Sequence, residues 1–205
     1  MIDLTKSETG VWTVTINRPD KANSLTPDML TDLRDIARDA QSARGFIITG
    51  AGRVFSAGAD LDAARAGLAT SPLWEELSAA IAALPCVSVA ALNGTLAGGA
   101  NGMALACDIR IAVQGAKVFY PVMKLGYMPQ PSDPRRMAAL IGPARTKMIL
   151  MAGQKITTDQ ALAYGLIDCI VDADQLINHA HDLIADSAAA DPALVAGIRR
   201  LIDHN

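Results

Sequence analysis

The chain of 205 residues is 51% hydrophobic and 19% charged, a composition that excludes an intrinsically disordered protein. Aromatic residues make up 4%, so the core of the expected globular domain has to be built from aliphatic side chains. The net charge of −3, with no basic cluster, argues against nucleic acid and anionic membrane surfaces as partners.

The cysteines and the uncharged middle of the chain bear on its cellular compartment. Cys86, Cys107 and Cys169 are widely spaced, without a Cys-x-x-Cys pair, and predict buried, reduced thiols. Residues 77–107 carry no charge, but Pro, Asn and Gly break them into pieces shorter than the ~20 apolar residues that span a bilayer. Because no secretory signal pattern is present, the sequence predicts a cytoplasmic protein without a membrane segment.

Apolar periodicity predicts alternating strands and helices up to residue 113. A strand at residues 11–16 is followed by a helix that begins at a Thr26-Pro27-Asp28 cap and ends at Gly45. Further buried strands are predicted at residues 46–49, 87–92 and 109–113, with helices at 74–84 and from Gly98 to about Cys107.

After Pro121 the pattern becomes mainly helical. Thr157 and Gln160 have the spacing of a capping box, and Gly165 closes the helix that this box begins. A last long helix is predicted at residues 176–190. Alternating elements followed by helices predict an α/β fold with a helical appendage.

Two turns rich in small residues each follow an apolar run, at residues 55–61 and 93–101. Glycine and alanine allow a backbone to approach a ligand closely, because they place almost nothing in its way. Two such turns that face each other would aim two backbone N–H groups at one oxygen, which is the geometry of an oxyanion hole.

Five segments, in this order and spacing, resemble the motifs of the crotonase family, the enoyl-CoA hydratase/isomerase superfamily. Each motif alone is weak, but together they cover about residues 10–172. The matching segments are Asn17 to Leu25, Phe55 to Leu61, Asn93-Gly94 with Gly98-Gly99, Cys107 to Arg110, and Gly142 to Asp168.

The resemblance implies a crotonase-like spiral of ββα turns over residues 1–140 and a C-terminal helical region over residues 141–205. That region would serve in trimerisation and is short for the family. A homotrimer or homohexamer is therefore expected. The resemblance also implies an acyl-CoA thioester as partner, with coenzyme A as part of the substrate, and we expect no separate cofactor and no metal.

The same motifs assign roles to individual residues. The oxyanion hole would be formed by the backbone N–H groups of Ala59 and Gly99, the second of which lies at a helix N-terminus. The coenzyme A moiety would contact the backbone around five residues, namely Lys21, Ala22, Ala57, Asp60 and Leu61.

The sequence departs from the hydratase pattern at two positions where hydratases of the family carry glutamates. Counted from the motifs, these positions hold Gly102 and Val122, and neither residue can carry a proton. Since one acid–base group contributes roughly 10²–10⁴ in rate, we expect hydration to be weak or absent.

Asp133 is the best candidate for an acid–base residue, because some relatives place a carboxylate in this region. The alternative is that Ser132 or Asp133 caps the following helix. Tyr120, near the expected acyl group, and Asn101, beside the oxyanion glycine, are further candidates; ordinary structural roles are the alternative for both.

Other polar residues in the motifs have structural interpretations. Asp60 is expected to brace its turn, and Asp108 is also expected to be structural. His179, His181 and His204 fall in the C-terminal part, outside the matched motifs, and are expected at the surface. A serine peptidase is excluded, because no histidine stands among the motifs to serve as base.

Two functions remain open from sequence. The first is an acyl-CoA enzyme that stabilises a thioester enolate and performs isomerisation, decarboxylation or hydrolysis. The second is a non-catalytic acyl-CoA-binding protein, which the missing glutamates favour.

Overall fold

Two β-sheets form the framework of the structure, a computed structural model that describes residues 1–203. The larger sheet has six strands, parallel except for the antiparallel pair at the β1 edge. Their order is β1 (Ile2–Lys6), β2 (Val11–Ile16), β3 (Gly45–Gly50), β5 (Val87–Leu92), β7 (Ile109–Val113) and β10 (Cys169–Val171). The smaller sheet has the order β4 (Val54–Ser56), β6 (Thr95–Ala97), β8 (Lys117–Phe119) and β9 (Ile156–Thr157).

Helices occupy most of the remaining chain. They are α1 (Pro27–Asp39), α2 (Leu61–Arg65), α3 (Leu73–Ala82), α4 (Asn101–Ala106), α5 (Val122–Leu125), α6 (Asp133–Leu150), α7 (Thr158–Tyr164), α8 (Leu176–Ala189) and α9 (Pro192–Asp203). The predicted caps are observed: the Thr26 side chain accepts from the Met29 N–H, and Thr157 forms a capping box with Gln160. In the part of the chain that is described, no helix is both long enough and apolar enough to cross a bilayer.

The chain winds as a spiral of ββα turns. Successive strands alternate between the sheets, from β3 to β4, β5 to β6 and β7 to β8, and a helix follows each strand of the smaller sheet. This topology confirms the predicted α/β spiral. Because β4, β6 and β8 are parallel, their carboxyl ends lie at one edge of the smaller sheet.

Helices cover both faces of the larger sheet. Ile48 on β3 packs in the cluster that includes Leu30 and Leu33 of α1, whereas its neighbour Ile47 packs with Ala180 and Ile184 of α8. All six residues of β3 are buried, as expected for a parallel strand covered on both faces.

The C-terminal part contributes more than helices. Its short strands β9 and β10 complete the edges of the two sheets by pairing with β8 and β7. The expected division at residue 140/141 falls within α6, just before a break at Gly142, whose φ of 77° is in the left-handed region. Of the cysteines, Cys86 and Cys107 are buried as predicted, while Cys169 is half-buried.

Candidate active site

The two turns rich in small residues lie in direct backbone contact. They follow β4 and β6, which are parallel neighbours in the smaller sheet. A methyl group placed on Gly58 would lie 3.0 Å from the Ala97 carbonyl oxygen and 3.5 Å from the Gly99 nitrogen. Gly58 also has a φ of 89°, so this close approach depends on glycine. The two turns therefore lie side by side, which an oxyanion hole formed by both of them would require.

The backbone on either side of Ala59 is fixed by Leu25. The Leu25 N–H donates to the Gly58 carbonyl and the Asp60 N–H donates to the Leu25 carbonyl, both at 2.8 Å. The N–H of Ala59 itself makes no hydrogen bond within residues 1–203. It therefore lies between two anchored peptide groups and is available to a ligand.

Gly99 is held from the other side by an aromatic ring. It is the second residue of a short 3-10 helix, Gly98–Ala100, whose first N–H groups have no partner within the helix. A methyl group on Gly99 would lie 3.0–3.2 Å from three atoms of the Trp74 indole. The indole is fixed in turn, because its Nε1 donates to the Leu68 carbonyl at 2.8 Å. Helical spacing predicts Trp74 as a core residue, but it gives no sign that the ring supports the second turn.

Ala59 and Gly99 line the same cavity, which has a volume of about 360 Å³. Its wall is mostly apolar and includes Trp74 and Val122. The polar or charged side chains on the wall are those of Arg65, Tyr120, Tyr127 and Gln130.

Asp133 and Tyr120 form a buried pair beside this cavity. The Tyr120 hydroxyl donates a hydrogen bond of 2.9 Å to Oδ2 of Asp133. Asp133 is fully buried, and its Oδ1 has no hydrogen-bond partner among the described residues. Tyr120 lines the cavity, whereas Asp133 is not among the lining residues. The phenol therefore stands between the cavity and the carboxylate.

The Asp133 carboxyl fills the space beside Gly102. A methyl group on Gly102 would lie 2.9 Å from Oδ1 of Asp133 and 3.3 Å from Oδ2. A larger side chain at position 102 would project into the same volume. Position 102, where hydratases of the family carry a glutamate, and the candidate acid Asp133 therefore lie next to each other. The sequence alone did not show this proximity.

The surroundings of this pair favour the neutral forms of both groups. Burial raises the pKa of the Asp133 carboxyl to about 7; the Tyr120 hydrogen bond and Arg136 oppose the increase, and Glu75 adds to it. Burial and the neighbouring Asp133 also raise the pKa of Tyr120. Near neutral pH, Asp133 can therefore exchange a proton while the phenol remains protonated.

The alternative role as a helix cap is not seen for Ser132. It stands at the cap position of α6, but its side chain makes no capping hydrogen bond. Its N–H donates to the Glu75 carboxylate at 3.2 Å, and its hydroxyl bonds to the same carboxylate. Glu75 on α3 therefore fixes the start of α6 and the backbone that carries Asp133.

Four of the five residues expected to contact coenzyme A line a second opening. It has a volume of about 380 Å³ and is lined by Lys21, Ala57, Asp60 and Leu61, among others. Ala22 is not part of this lining, but its carbonyl accepts from the Ala57 N–H at 3.0 Å. Ala57, Ala59, Leu61 and Arg65 line both openings, so the two lie next to each other.

Asp60 braces its turn as expected. Its carboxylate accepts from Arg18 Nη1 at 2.8 Å and from the N–H groups of Asp62 and Ala63 at the start of α2. The hydrogen bond from Arg18 and those from the backbone lower the pKa of this carboxyl.

Asn101, a candidate for the pocket, lies elsewhere. Its amide is buried and donates to the carbonyls of Gly98, at 2.8 Å, and Phe119, at 3.1 Å. It therefore ties the second turn to β8 and does not line the cavity. The position of Asn101 two residues after Gly99 did not predict its contacts, because the helix that begins at Asn101 directs its side chain away from the cavity.

The remaining polar candidates lie outside the cavity wall. Asp108 accepts from the backbone and the hydroxyl of Ser88, at 2.8 and 2.9 Å, and is paired with Arg199. His179 and His181 are half-buried on α8 and do not reach the cavity, while His204 lies outside the described residues. Within residues 1–203, no group of three or more His, Cys, Asp or Glu side chains is placed to hold a metal.

The sequence and the fold are similar to those of known proteins. Residues 6–205 match the family model described as enoyl-CoA hydratase/isomerase. The chain is 34% identical over 192 residues to YngF of Bacillus subtilis, covering 89% of this chain and 74% of that protein. It is 31% identical over 207 residues to the 1,2-epoxyphenylacetyl-CoA isomerase of Escherichia coli, covering 95% and 79% of the two chains. A crystal structure of an enoyl-CoA hydratase from Bacillus anthracis superposes with a TM-score of 0.91 at 30% identity, covering 98% and 81%.

Proposed function

Because the chain belongs to the enoyl-CoA hydratase/isomerase family, the crotonase superfamily, we propose that it binds an acyl-CoA thioester and stabilises its enolate. The observation that carries the proposal is the contact of the two small-residue turns, which brings Ala59 and Gly99 to one cavity. Their N–H groups would hold the thioester oxygen, on which negative charge develops. Removing one such donor typically costs about 2.7–4 kcal/mol of transition-state stabilisation.

Tyr120 and Asp133 supply the proton transfer in this proposal. The proton leaving the α-carbon moves to the Tyr120 oxygen, while Tyr120 passes its own proton to Oδ2 of Asp133. The electron pair of the broken C–H bond becomes the enolate, whose charge lies between Ala59 and Gly99. Tyr120 is thus the catalytic residue that touches substrate, and Asp133 is the group that stores the proton.

The reaction class follows from what the site lacks. Neither Gly102 nor Val122 can position and activate water for addition to a double bond, so efficient hydration is not expected. Isomerisation and decarboxylation both pass through the enolate and need a single proton donor and acceptor, which the Tyr120–Asp133 pair provides. Hydrolysis of the thioester is a third reaction; it passes through a tetrahedral oxyanion and not through the enolate, and the same two N–H groups would hold that oxygen.

The assembly and the location of the protein complete the proposal. Following the family resemblance, the chain forms a homotrimer or homohexamer in the cytoplasm, and coenzyme A enters as part of the substrate. Lys21, Ala57, Asp60 and Leu61 line the opening through which the coenzyme A moiety would extend.

A non-catalytic acyl-CoA-binding protein is the second candidate. The vacant glutamate positions favour it. Oδ1 of Asp133 argues against it, because this buried atom has no hydrogen-bond partner among the described residues. Burial of an unpaired oxygen lowers the stability of the fold, and binding of a thioester alone does not require it.

Two measurements on one preparation test the proposal. Calorimetry should detect binding of butyryl-CoA, and hydration of crotonyl-CoA should fall well below the typical enzyme range of about 1–10³ s⁻¹. Lys21→Ala removes a positive charge from the lining of the opening proposed for coenzyme A and should weaken binding by up to about fivefold, while the exposed control Lys147→Ala should not. Absence of binding would contradict the acyl-CoA site, and rapid hydration would contradict our interpretation of Gly102 and Val122.

A further inference from the structure

Gln130 places an unpaired side-chain amide in the cavity wall. The residue is 8% exposed and lines the cavity. Its main chain is engaged, since its carbonyl accepts from the Asp133 N–H at 3.1 Å. In the described chain, however, its side-chain amide makes no hydrogen bond.

The amide remains accessible to a ligand. Among the described residues, Oδ1 of Asp133 is the one side-chain nitrogen or oxygen atom that is both sealed from solvent and without a hydrogen-bond partner. The side-chain nitrogen and oxygen of Gln130 have no hydrogen-bond partner among the described residues and are not sealed from solvent, and Gln130 lines the cavity. An amide offers two donors and an acceptor, and most buried polar groups have a partner.

Other polar groups of the wall are less suited to meet a substrate in the interior. Tyr120 already donates its hydroxyl proton to Asp133. The Arg65 side chain is 78% exposed and is paired with Asp62 at 3.0 Å. Tyr127 is exposed at 38%. Gln130 is therefore the buried side chain whose hydrogen-bonding capacity is left for the acyl group.

We infer that Gln130 is a specificity-determining residue that recognises an oxygen atom on the acyl group. The substrate class is then an acyl-CoA that carries a hydroxyl or keto oxygen beyond the thioester, and not a plain hydrocarbon acyl chain. This inference rests on the proposed acyl-CoA function. A neutral amide suits a neutral oxygen, because it can donate to a carbonyl and can both donate to and accept from a hydroxyl.

Binding of four thioesters tests the inference. Calorimetry would compare butyryl-CoA with acetoacetyl-CoA and with 3- and 4-hydroxybutyryl-CoA. The protein should bind at least one oxygenated thioester about 3- to 10-fold more tightly than butyryl-CoA, the factor expected for one neutral hydrogen bond. Gln130→Met, which keeps the side-chain volume and removes the amide, should abolish this preference and retain butyryl-CoA binding.

Gln175→Met is the matched control, because Gln175 is exposed at the start of α8. It should leave the preference unchanged. Equal affinity of the unmodified protein for all four thioesters would overturn the role of Gln130, and so would a preference that survives in Gln130→Met. If Gln130→Met does not fold, Gln130→Leu, which also removes the amide, replaces it in the comparison. Failure to bind any thioester would instead overturn the proposed function on which the inference depends.

Discussion

At the scale of single residues, the buried Asp133 carboxyl connects several features of the site. It reaches from the start of α6 to Tyr120 on one side and to Gly102 on the other. One oxygen is paired with the phenol and the other has no partner within residues 1–203. This arrangement costs stability when the group is charged, and it is useful for catalysis because it brings the pKa near neutrality.

The cost appears as a dependence of stability on pH. The pKa of Asp133 in the folded chain, about 7, lies above its ordinary value of 3.8. The folded state therefore holds this proton more tightly, so the stability that Asp133 contributes is fully present below pH 3.8 and is lost as pH rises through 7. Asp133→Asn removes this loss and should gain up to a few kcal/mol relative to the unmodified protein between pH 4 and pH 8.

Urea unfolding at several pH values measures this difference. The exposed Asp172→Asn is the matched control. Parallel stability curves for Asp133→Asn and the unmodified protein would show that the Asp133 carboxyl is not perturbed.

The space beside Gly102 gives a second prediction. Alanine in place of a helical glycine ordinarily stabilises by up to ~1 kcal/mol. At Gly102 the new methyl group would meet Oδ1 of Asp133 at 2.9 Å, so Gly102→Ala should destabilise by about 1–3 kcal/mol. Gly197→Ala in α9, where nothing lies within 4 Å, should stabilise. Unfolding free energies that rise for both variants would contradict the described packing.

At the scale of elements, α3 supports the edge of the smaller sheet at which the cavity lies. Trp74 at its first turn lies against Gly99, and the next residue, Glu75, holds Ser132 at the start of α6. One short helix thus fixes both the second turn and the backbone that carries Asp133. Through these contacts Trp74 and Glu75 position other groups, and Trp74 also lines the cavity.

Trp74→Phe tests this supporting role. The variant keeps an aromatic ring near Gly99 but leaves the Leu68 carbonyl without its donor, which should cost about 1–3 kcal/mol of stability. The displaced turn should also lower the rate of α-proton exchange in bound acyl-CoA, by roughly tenfold or more. Trp12→Phe, in β2 of the larger sheet, should cost stability without this loss of rate. Equal effects of the two variants on exchange would refute the role of α3.

At the scale of the whole molecule, the spiral brings together segments that are far apart in sequence. The carboxyl ends of β4, β6 and β8 meet at one edge, where Ala59, Gly99 and Tyr120 line one cavity. The proposed catalysis depends on positioning a few groups to within a fraction of an ångström, which sites that follow neighbouring strands of one sheet can provide.

The sequence predicted those parts of this arrangement that have a local signal. The buried strands show apolar runs, and the two turns show their small residues, so both were found. The contact between Asp133 and Gly102 has no local signal, because it joins the starts of two helices from different turns of the spiral. Gln130 lies in a loop without periodicity, and β9 and β10 are too short for a strand pattern to appear.

The most direct test of the account is exchange of the α-protons of butyryl-CoA in D₂O, followed by NMR. Exchange of the α-protons with solvent detects formation of the enolate, regardless of the reaction that the enolate then undergoes. We expect exchange catalysed by the protein, with a rate that rises as pH increases through about 7, because Asp133 must be ionised to accept the proton. Tyr120→Phe and Asp133→Asn should each lower the rate by roughly 10²–10⁴ while butyryl-CoA still binds. Binding of butyryl-CoA to the unmodified protein with no exchange above the rate in buffer would contradict the account.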